Sequence, residues 1–228
     1  MPRTARAAIG GLVYHVTNRG NGRLRIFRKT ADYSALTQIL LDGKSHADID
    51  LFAYCLMPNH WHLVLRPKRD HDLARYLSWI TNTHVKRYRA HYPQTSGHLY
   101  QGRYKSFPVQ TDSHFLTLLR YVESNPIRCA KPLSPTAQSW PHSSLGGPPD
   151  LLAQLLSPPP LTRPRHWLSL VNSPLKESDL TQIRTSLTRD RPLGTTPWTF
   201  QTATHLHLQH TLHPRGRPRK SPAPALTS

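Results

Sequence analysis

The sequence predicts an α+β fold, a ferredoxin-like sandwich in which helices cover one face of an antiparallel sheet. Strand-like and helix-like segments follow one another in the order β-α-β-β-α-β-α over about the first 130 residues. A Pro-Asn turn at 58–59 joins the second and third strands directly, which makes them an antiparallel hairpin. A hairpin of this kind between two helical connections is typical of the ferredoxin-like sandwich.

The predicted elements follow in chain order. Strands are expected at 10–18, 49–57, 60–66 and 105–110, and helices at 32–47, 72–91 and 112–124. Asp32 is expected to cap the first helix, because a carboxylate accepts hydrogen bonds from the free amides of a first turn. Pro108 requires an edge or end position for the last strand, since proline donates no ladder hydrogen bond. Asn125-Pro126 is expected to end the third helix.

Composition changes after the third helix, and we divide the chain accordingly. Residues 1–145 are expected to form the main domain. Residues 132–165 are rich in Pro, Ser and Leu and predict a linker with little structure, and we place the Pro/Ser/Leu-rich linker between the domains at 146–177. Residues 178–228 form a basic extension with short helices at about 178–189 and 197–208, the second beginning at Pro197.

The charge of the chain favours a polyanionic partner. Lys and Arg total 30 against 12 Asp and Glu, a formal net charge of +18. Binding to phosphates relieves such self-repulsion and releases counterions, whereas a small neutral substrate would not. No polybasic run adjoins a long apolar segment, so a membrane surface is disfavoured. Two cysteines cannot form a disulfide framework or a four-cysteine zinc site. Since neither a signal peptide nor a membrane span is recognisable, a cytoplasmic, nucleoid-associated protein is expected.

The segment His60-Trp61-His62 suggests a metal site. Residues i and i+2 of a strand point to the same face, so the two imidazoles would project side by side while Trp61 packs on the other face. Imidazole binds several divalent metals, and added carboxamide or water oxygens would favour Mg²⁺ or Mn²⁺. The alternative is two ordinary strand histidines in a chain that has 15 of them.

Tyr121 and Asn125 suggest a nucleophile beside a ligand. Their i, i+4 spacing places both on one helix face. A tyrosine can act as a covalent nucleophile when a nearby cation stabilises the charge that develops on the group it attacks. Asn125 could offer its carboxamide oxygen to that cation. The alternative is a packed helix tyrosine followed by a helix-terminating Asn-Pro.

Two basic segments suggest contacts to nucleic acid. In GHLYQGRYKSF (97–107), Arg103 and Lys105 alternate with aromatic residues, including Tyr104, as in segments that bind unpaired bases and their backbone. Arg87 adds charge on the polar face of the preceding helix. The alternative is a solvated basic loop, and Tyr100 and Tyr104 are rival nucleophiles.

The C-terminal tail carries a further basic motif, in which Arg215 and Arg217 flank Gly216. An extended segment with flanking arginines fits a narrow A·T minor groove. The alternative is a basic tail that binds phosphates without regard to sequence.

Taken together, the ordered motifs MPNHWHLV, GHLYQGRYKS and RYVESNPIRC resemble the REP-associated tyrosine transposases. These belong to the HUH single-tyrosine transposases of small bacterial insertion sequences. The similarity extends over about residues 10–145. The segments RPLGTTPWT (191–199) and LHPRGRPRK (212–220) also look like the C-terminal extension of this family.

The resemblance implies an HUH-type catalytic domain in residues 1–145. His60, His62 and Asn125 match the ligands of a catalytic Mg²⁺ or Mn²⁺, and Tyr121 matches the nucleophile that becomes linked to a DNA 5′-phosphate. The implied substrates are single-stranded or hairpin-forming palindromic repeats, cleaved and rejoined by a monomer or a homodimer. Glu123 and Cys129 replace residues that are commoner in the family.

Two other functions are compatible with this scaffold. One is a non-catalytic, sequence-specific DNA-binding protein or repressor, which would need neither the histidine pair nor Tyr121. The other is a replication-initiation or relaxase-type enzyme, which the NPIR and RGRPRK elements disfavour.

Overall fold

The computed structural model of the protein describes residues 8–213. Four strands form one antiparallel sheet in the order β2-β3-β1-β4, and their bounds are Val13–Arg19 (β1), Ile49–Met57 (β2), His60–Pro67 (β3) and Lys105–Val109 (β4). The predicted α+β class and the order β-α-β-β-α-β-α are confirmed. The sheet order places the hairpin strand β3 and the first strand β1 at the centre, where both their faces can be buried.

Eight helices surround or extend this sheet within the described residues. Their bounds are Thr30–Gly43 (α1), Asp72–His91 (α2), Ser113–Glu123 (α3), Asn125–Arg128 (α4), Pro149–Leu155 (α5), Trp167–Asn172 (α6), Glu177–Arg189 (α7) and Thr196–His205 (α8). Single 3-10 turns occur at Asn21–Arg23, Ala137–Ser139 and Gln209–Thr211. Between residues 8 and 213, no helix has the length and apolar character needed to cross a membrane.

Helices cover both faces of the sheet, so the expectation that they lie on one face is wrong. On one face, α1 and α2 pack over strand residues such as Leu63. On the other, α3, α6 and α7 pack over residues such as Val64. The burial of β2 explains why helices cover both faces, because all but Asp50 of its nine residues are buried. A strand that is apolar on both sides needs cover on both sides.

The ends of three elements show how local chemistry sets their positions. α1 begins at Thr30, earlier than predicted, and Asp32 is therefore not its N-cap. Instead the Asp32 carboxylate reaches back and accepts hydrogen bonds from the amides of Arg28 and Lys29. Pro108 lies on β4 at the edge of the sheet, as predicted. The chain resumes one helical turn at Asn125 after α3 ends, so Asn125-Pro126 bends the helical path without stopping it.

The range 146–177 is structured, and the expectation of a linker with little structure is wrong there. Helices α5 and α6 lie within it, and Leu155, Trp167 and Val171 are buried. The apolar residues that lie between the prolines explain this result, because each short segment packs an apolar side chain against the core. The division into domains at residue 145 remains a prediction.

Glu123 ties this segment to α3. Its carboxylate is fully buried and accepts hydrogen bonds from Ser144, Arg163 and Trp167 at 2.7–2.9 Å. Burial raises the pKa of Glu123, while Arg163 and the two other donors act against that rise. The residue that departs from the family pattern is therefore a structural anchor, two positions after Tyr121 in the helix.

Candidate active site

The β2–β3 hairpin places His60 and His62 on one face of the sheet. Across the β1–β3 ladder, His62 pairs with Thr17 and His60 pairs with Arg19. Between them, Trp61 is buried on the opposite face, where its indole N–H donates to Tyr100. The period-2 geometry of a strand thus separates the three side chains as the sequence predicted. The rings of His60 and His62 lie edge to face with centroids 5.0 Å apart.

Each of the two imidazoles has one nitrogen engaged and one without a partner. Nδ1 of His60 lies 2.7 Å from the Asn59 side-chain oxygen, and Nδ1 of His62 lies 2.9 Å from Nε2 of His15. Within the described residues, neither Nε2 makes a hydrogen bond. Burial lowers the pKa of His60 to about 4 and the pKa of His62 well below its usual value. Both rings are therefore neutral at physiological pH, the state in which an imidazole can bind a metal.

Helix α3 carries Tyr121 to the same place. Its apolar side packs on the sheet through Phe115, Leu118, Leu119 and Val122, which leaves Tyr121 at the border of the core with 7% of its surface exposed. The Tyr121 ring lies edge to face with His62, at a centroid distance of 6.1 Å. Its hydroxyl has no hydrogen-bond partner among residues 8–213, so it is available to a ligand.

Asn125 and Arg128 surround Tyr121 from the helical turn that follows. The Asn125 amide donates to the main-chain carbonyls of Tyr121 and Val122 at 3.1 and 3.2 Å, and its oxygen accepts from Arg128 at 3.0 Å. The Arg128 guanidinium also lies over the Tyr121 ring, 4.1 Å from its centroid. This cation–π contact holds the ring and places a positive charge beside the histidine pair.

His60, His62 and Asn125 could offer two nitrogen atoms and one oxygen atom to a divalent cation. The two free Nε2 atoms belong to neighbouring rings on one face, and the Asn125 oxygen keeps a second lone pair beside its bond to Arg128. No group of three His, Cys, Asp or Glu side chains suited to a metal occurs in the part of the chain that the structure describes. A metal here would therefore use the carboxamide oxygen as its third protein ligand, with water completing its coordination.

These side chains line one cleft with a volume of about 600 Å³. The cleft brings together His60, His62, Tyr121 and Asn125 with two of the predicted DNA-binding residues, Arg103 and Lys105. The end of α7 forms another wall with Leu187 and Thr188, and the Lys105 ammonium donates to the Leu187 carbonyl at 3.1 Å.

The other predicted DNA contacts lie elsewhere. Tyr104 lines a second groove, which shares Asn18 and the segment 101–103 with the cleft. Arg87 is exposed on the outer side of the α1–α2 layer and lines neither of these two depressions. Arg215 and Arg217 lie outside the described residues.

The geometry separates Tyr121 from its two rivals. The Tyr100 hydroxyl is in the core, where it accepts from Trp61 at 3.0 Å and is hydrogen-bonded to Nδ1 of His84 at 2.6 Å. Burial raises the pKa of Tyr100 above its usual range. Tyr104 packs against the core beneath α1 and α2, on the side of the sheet away from the histidine pair. Of these three tyrosines, only Tyr121 lines the cleft.

Comparison with known proteins identifies the family of the chain. Residues 8–125, more than half of the 228-residue chain, match the family described as IS200-like transposases.

The chain belongs to the IS200-like transposase family.

Two solved structures are similar to this transposase. One is a REP-associated tyrosine transposase bound to a REP hairpin, with a TM-score of 0.51 and 17% identity over 77% of this chain and 93% of that one. The other is a candidate transposase from Deinococcus radiodurans, with a TM-score of 0.38 and 20% identity over 54% of this chain and 96% of that one. The first likeness shows a shared fold. No curated protein matches the sequence of this transposase.

Sequence reasoning missed several residues of the candidate site, and Arg128, His15 and Leu187 are three of them. Arg128 follows Asn125 by three residues and Tyr121 by seven, so helical spacing could have placed it beside both. His15 contacts His62 from β1 across 47 positions, and Leu187 contacts the cleft from α7. Only the strand register and the packing of α7 bring these two into the site, and neither is visible in local sequence.

Proposed function

We propose that this transposase is a metal-dependent, single-tyrosine DNA strand transferase. It would cleave and rejoin single-stranded or hairpin-forming repeat DNA through a covalent 5′-phosphotyrosine on Tyr121. The observation that carries the proposal is the meeting of a free tyrosine hydroxyl with two neutral imidazoles in one basic cleft. A protein that only binds DNA requires none of these three groups.

Tyr121 supplies the covalent step. Its phenol oxygen attacks the phosphorus of the scissile phosphodiester, a P–O bond to tyrosine forms, and the P–O3′ bond breaks. In net balance the phenol proton ends on the 3′ oxygen, which leaves as a free 3′-OH. The phosphotyrosine bond conserves the energy of the broken phosphodiester. A later attack by another 3′-OH would therefore rejoin strands and return the proton to Tyr121 without ATP.

His60, His62 and Asn125 would hold a divalent cation, Mg²⁺ or Mn²⁺. When bound, that cation would polarise the scissile phosphate and stabilise the charge that develops on it. The neutral state of the two imidazoles supports this assignment, because protonated rings cannot be ligands. Arg128 would fix the Tyr121 ring and orient the Asn125 carboxamide from the opposite side.

The DNA strand would follow the cleft and the adjoining groove. Arg103 borders both depressions, Lys105 lines the cleft, and Tyr104 lines the groove, so charge and an aromatic surface are available along one path. Arg87 would contact a hairpin stem only if the DNA extended beyond this path. Arg215 and Arg217 would add affinity from the tail. The active form would be a monomer or a homodimer, associated with the nucleoid in the cytoplasm.

Trapping the covalent intermediate tests the proposal. The full chain is incubated with labelled single-stranded repeat DNA and Mn²⁺, and the products are denatured and digested. We expect a protein–DNA species that survives denaturant, with the nucleotide mapped by mass spectrometry to Tyr121. DNA binding without any adduct would support the repressor alternative, and an adduct on Tyr100 or Tyr104 would overturn the assignment of the nucleophile.

A further inference from the structure

A third histidine, His15, lies directly behind the predicted metal ligands. It is fully buried on β1, and its Nε2 lies 2.9 Å from Nδ1 of His62. The two rings stack with centroids 5.1 Å apart, and the Phe107 ring contacts His15 at 4.9 Å. The reaction described above makes no use of this residue, although it makes the only polar contact of His62 Nδ1 within the described part of the chain.

The contact between these two rings has two possible arrangements. Burial disfavours the charged form, so each ring is neutral and carries one N–H and one lone pair. If Nε2–H of His15 donates, the proton of His62 lies on its Nε2, and that nitrogen cannot be a ligand. If Nδ1–H of His62 donates, its Nε2 keeps a lone pair that faces the cleft. Only the second arrangement provides a metal ligand.

We propose that His15 is the positioning residue of the metal site. Its Nε2 accepts the hydrogen bond from His62 Nδ1, which fixes the ring of His62 and leaves the Nε2 lone pair for a divalent cation. This inference rests on the proposed function, since it requires a metal at His62. Ligand histidines are commonly held in this way by an acceptor on the second ring nitrogen.

The neighbouring ligand shows the same arrangement with a different acceptor. Nδ1 of His60 lies 2.7 Å from the side-chain oxygen of Asn59, and this oxygen can only accept. His60 Nδ1 therefore carries the proton, and its Nε2 has the lone pair. In the proposed arrangement, both ligand rings donate through Nδ1 and present Nε2 to the same cleft.

A remaining feature of His15 indicates a role beyond packing. Its own Nδ1 is buried and has no hydrogen-bond partner in the described residues. With Nε2 accepting from His62, this Nδ1 carries the remaining proton as an unsatisfied donor. Buried donors without acceptors lower stability. An apolar side chain would avoid that loss, so the stability of the fold alone does not explain a histidine at this position.

Metal affinity measured without DNA tests the proposal. Mn²⁺ is titrated into the full chain, and free Mn²⁺ is followed by electron paramagnetic resonance. His15→Leu removes the acceptor, and His15→Gln offers a carbonyl oxygen at a similar reach. The matched control is His84→Gln, since His84 is also buried but bonds to Tyr100 on the opposite face of the sheet.

We expect His15→Leu to raise the dissociation constant for Mn²⁺ by roughly 10- to 100-fold. His15→Gln should recover most of that affinity, and His84→Gln should bind Mn²⁺ like the unsubstituted chain. Thermal melting verifies that each variant is folded. A folded His15→Leu variant with unchanged Mn²⁺ affinity would overturn the role of His15 alone. No Mn²⁺ binding by the unsubstituted chain would overturn the proposed metal site and this inference together.

A second measurement needs no variant. In the Mg²⁺-loaded, ¹⁵N-labelled chain, the ring-nitrogen shifts report which nitrogen carries each proton. We expect a protonated Nδ1 on His62 and an unprotonated Nε2 on His15. An unprotonated His62 Nδ1 in the Mg²⁺-loaded protein would contradict the proposal.

Discussion

The two faces of the central sheet hold nearly the same pair of side chains in different states. On the α1–α2 face, His84 lies 5.8 Å from Tyr100 between ring centroids, and on the α3 face His62 lies 6.1 Å from Tyr121. Trp61 and His62 are consecutive residues of β3 that point to opposite faces. The same strand therefore supplies a hydrogen-bond donor, Trp61, to the first pair and a member, His62, to the second.

The difference lies in how many polar atoms are left without a partner. The Tyr100 hydroxyl accepts from Trp61 and shares a second hydrogen bond with Nδ1 of His84, so both of its polar contacts lie inside the core. The Tyr121 hydroxyl and His62 Nε2 have no partner among the described residues, and both side chains line the cleft. Residue type thus does not identify the pair that we propose to be reactive. A free polar atom that can reach a ligand does.

The largest expected effect comes from removing one hydroxyl on each face. Tyr121→Phe keeps the ring and its contact with Arg128 but removes the attacking oxygen, so we expect no covalent adduct and normal DNA binding. Tyr100→Phe should still form the adduct. It should be less stable by about 2 kcal/mol, because it leaves buried Trp61 and His84 nitrogens without a partner. Adduct yield on denaturing gels and urea unfolding measure the two effects.

This pair of variants is a matched test, since each loses a single oxygen atom. An undiminished adduct in Tyr121→Phe would break the comparison and move the active site away from α3. Loss of the adduct in a folded Tyr100→Phe variant would show that the closed face takes part in the chemistry.

The histidines provide the next test. The double change His60→Ala/His62→Ala removes the two proposed histidine ligands from the open face. Cleavage should be abolished while DNA binding remains, because Arg103 and Lys105 are untouched. EDTA should have the same effect on the unsubstituted chain. His84→Ala, on the closed face, should cleave at the normal rate when folded. Cleavage assays and gel shifts at one salt concentration measure both activities. Full cleavage in EDTA would contradict a metal-dependent reaction.

Local periodicity was enough to predict the part of the site that each element carries alone. Alternation along β3 placed His60 and His62 together with Trp61 behind them, and helical spacing placed Asn125 one turn after Tyr121. Both relations are fixed by backbone geometry within a few residues. The order of elements was predictable for the same reason, because hairpin and helix signals are local.

The features that the sequence did not predict depend on contacts between residues that are far apart along the chain. The sequence indicates that β2 is apolar except at Asp50 but not which helix covers its second face, and α3 does so. The prolines of 146–177 suggested a linker, yet Trp167 reaches the buried Glu123 and fixes the segment. His15 meets His62 only through the β1–β3 register. Such contacts join residues 44–47 positions apart, and no local pattern encodes them.

The stability of the fold should depend on pH through buried histidines on both faces of the sheet, whereas the proposed activity depends on one face. Burial lowers the pKa of His15 to about 3 and the pKa of both His60 and His84 to about 4, from an ordinary value of 6.5. Between those values the unfolded chain binds more protons, so the free energy of unfolding should fall as pH falls from about 6.5 to 4.

Urea unfolding at several pH values measures this dependence. His84→Gln should reduce the slope by up to about one proton. A pH-independent free energy of unfolding between pH 6.5 and 4 would contradict the burial of these three histidines in neutral form.

The smallest expected effect concerns charge on the two sides of the molecule. Arg103 lines the cleft beside the histidine pair, whereas Arg87 is exposed on the outer side of the α1–α2 layer. Arg103→Ala and Arg87→Ala change the net charge equally, so any difference between them reports contact and not long-range attraction. Losing one phosphate contact to single-stranded DNA should reduce the slope of log K against log salt by about 0.7. We expect that reduction for Arg103→Ala and a smaller one for Arg87→Ala on a short single strand, measured by fluorescence anisotropy.

A hairpin substrate sharpens the comparison, because a stem that extends over α2 would contact Arg87 and make the two reductions equal. Equal reductions on the short single strand as well would mean that DNA is not confined to the cleft and the adjoining groove.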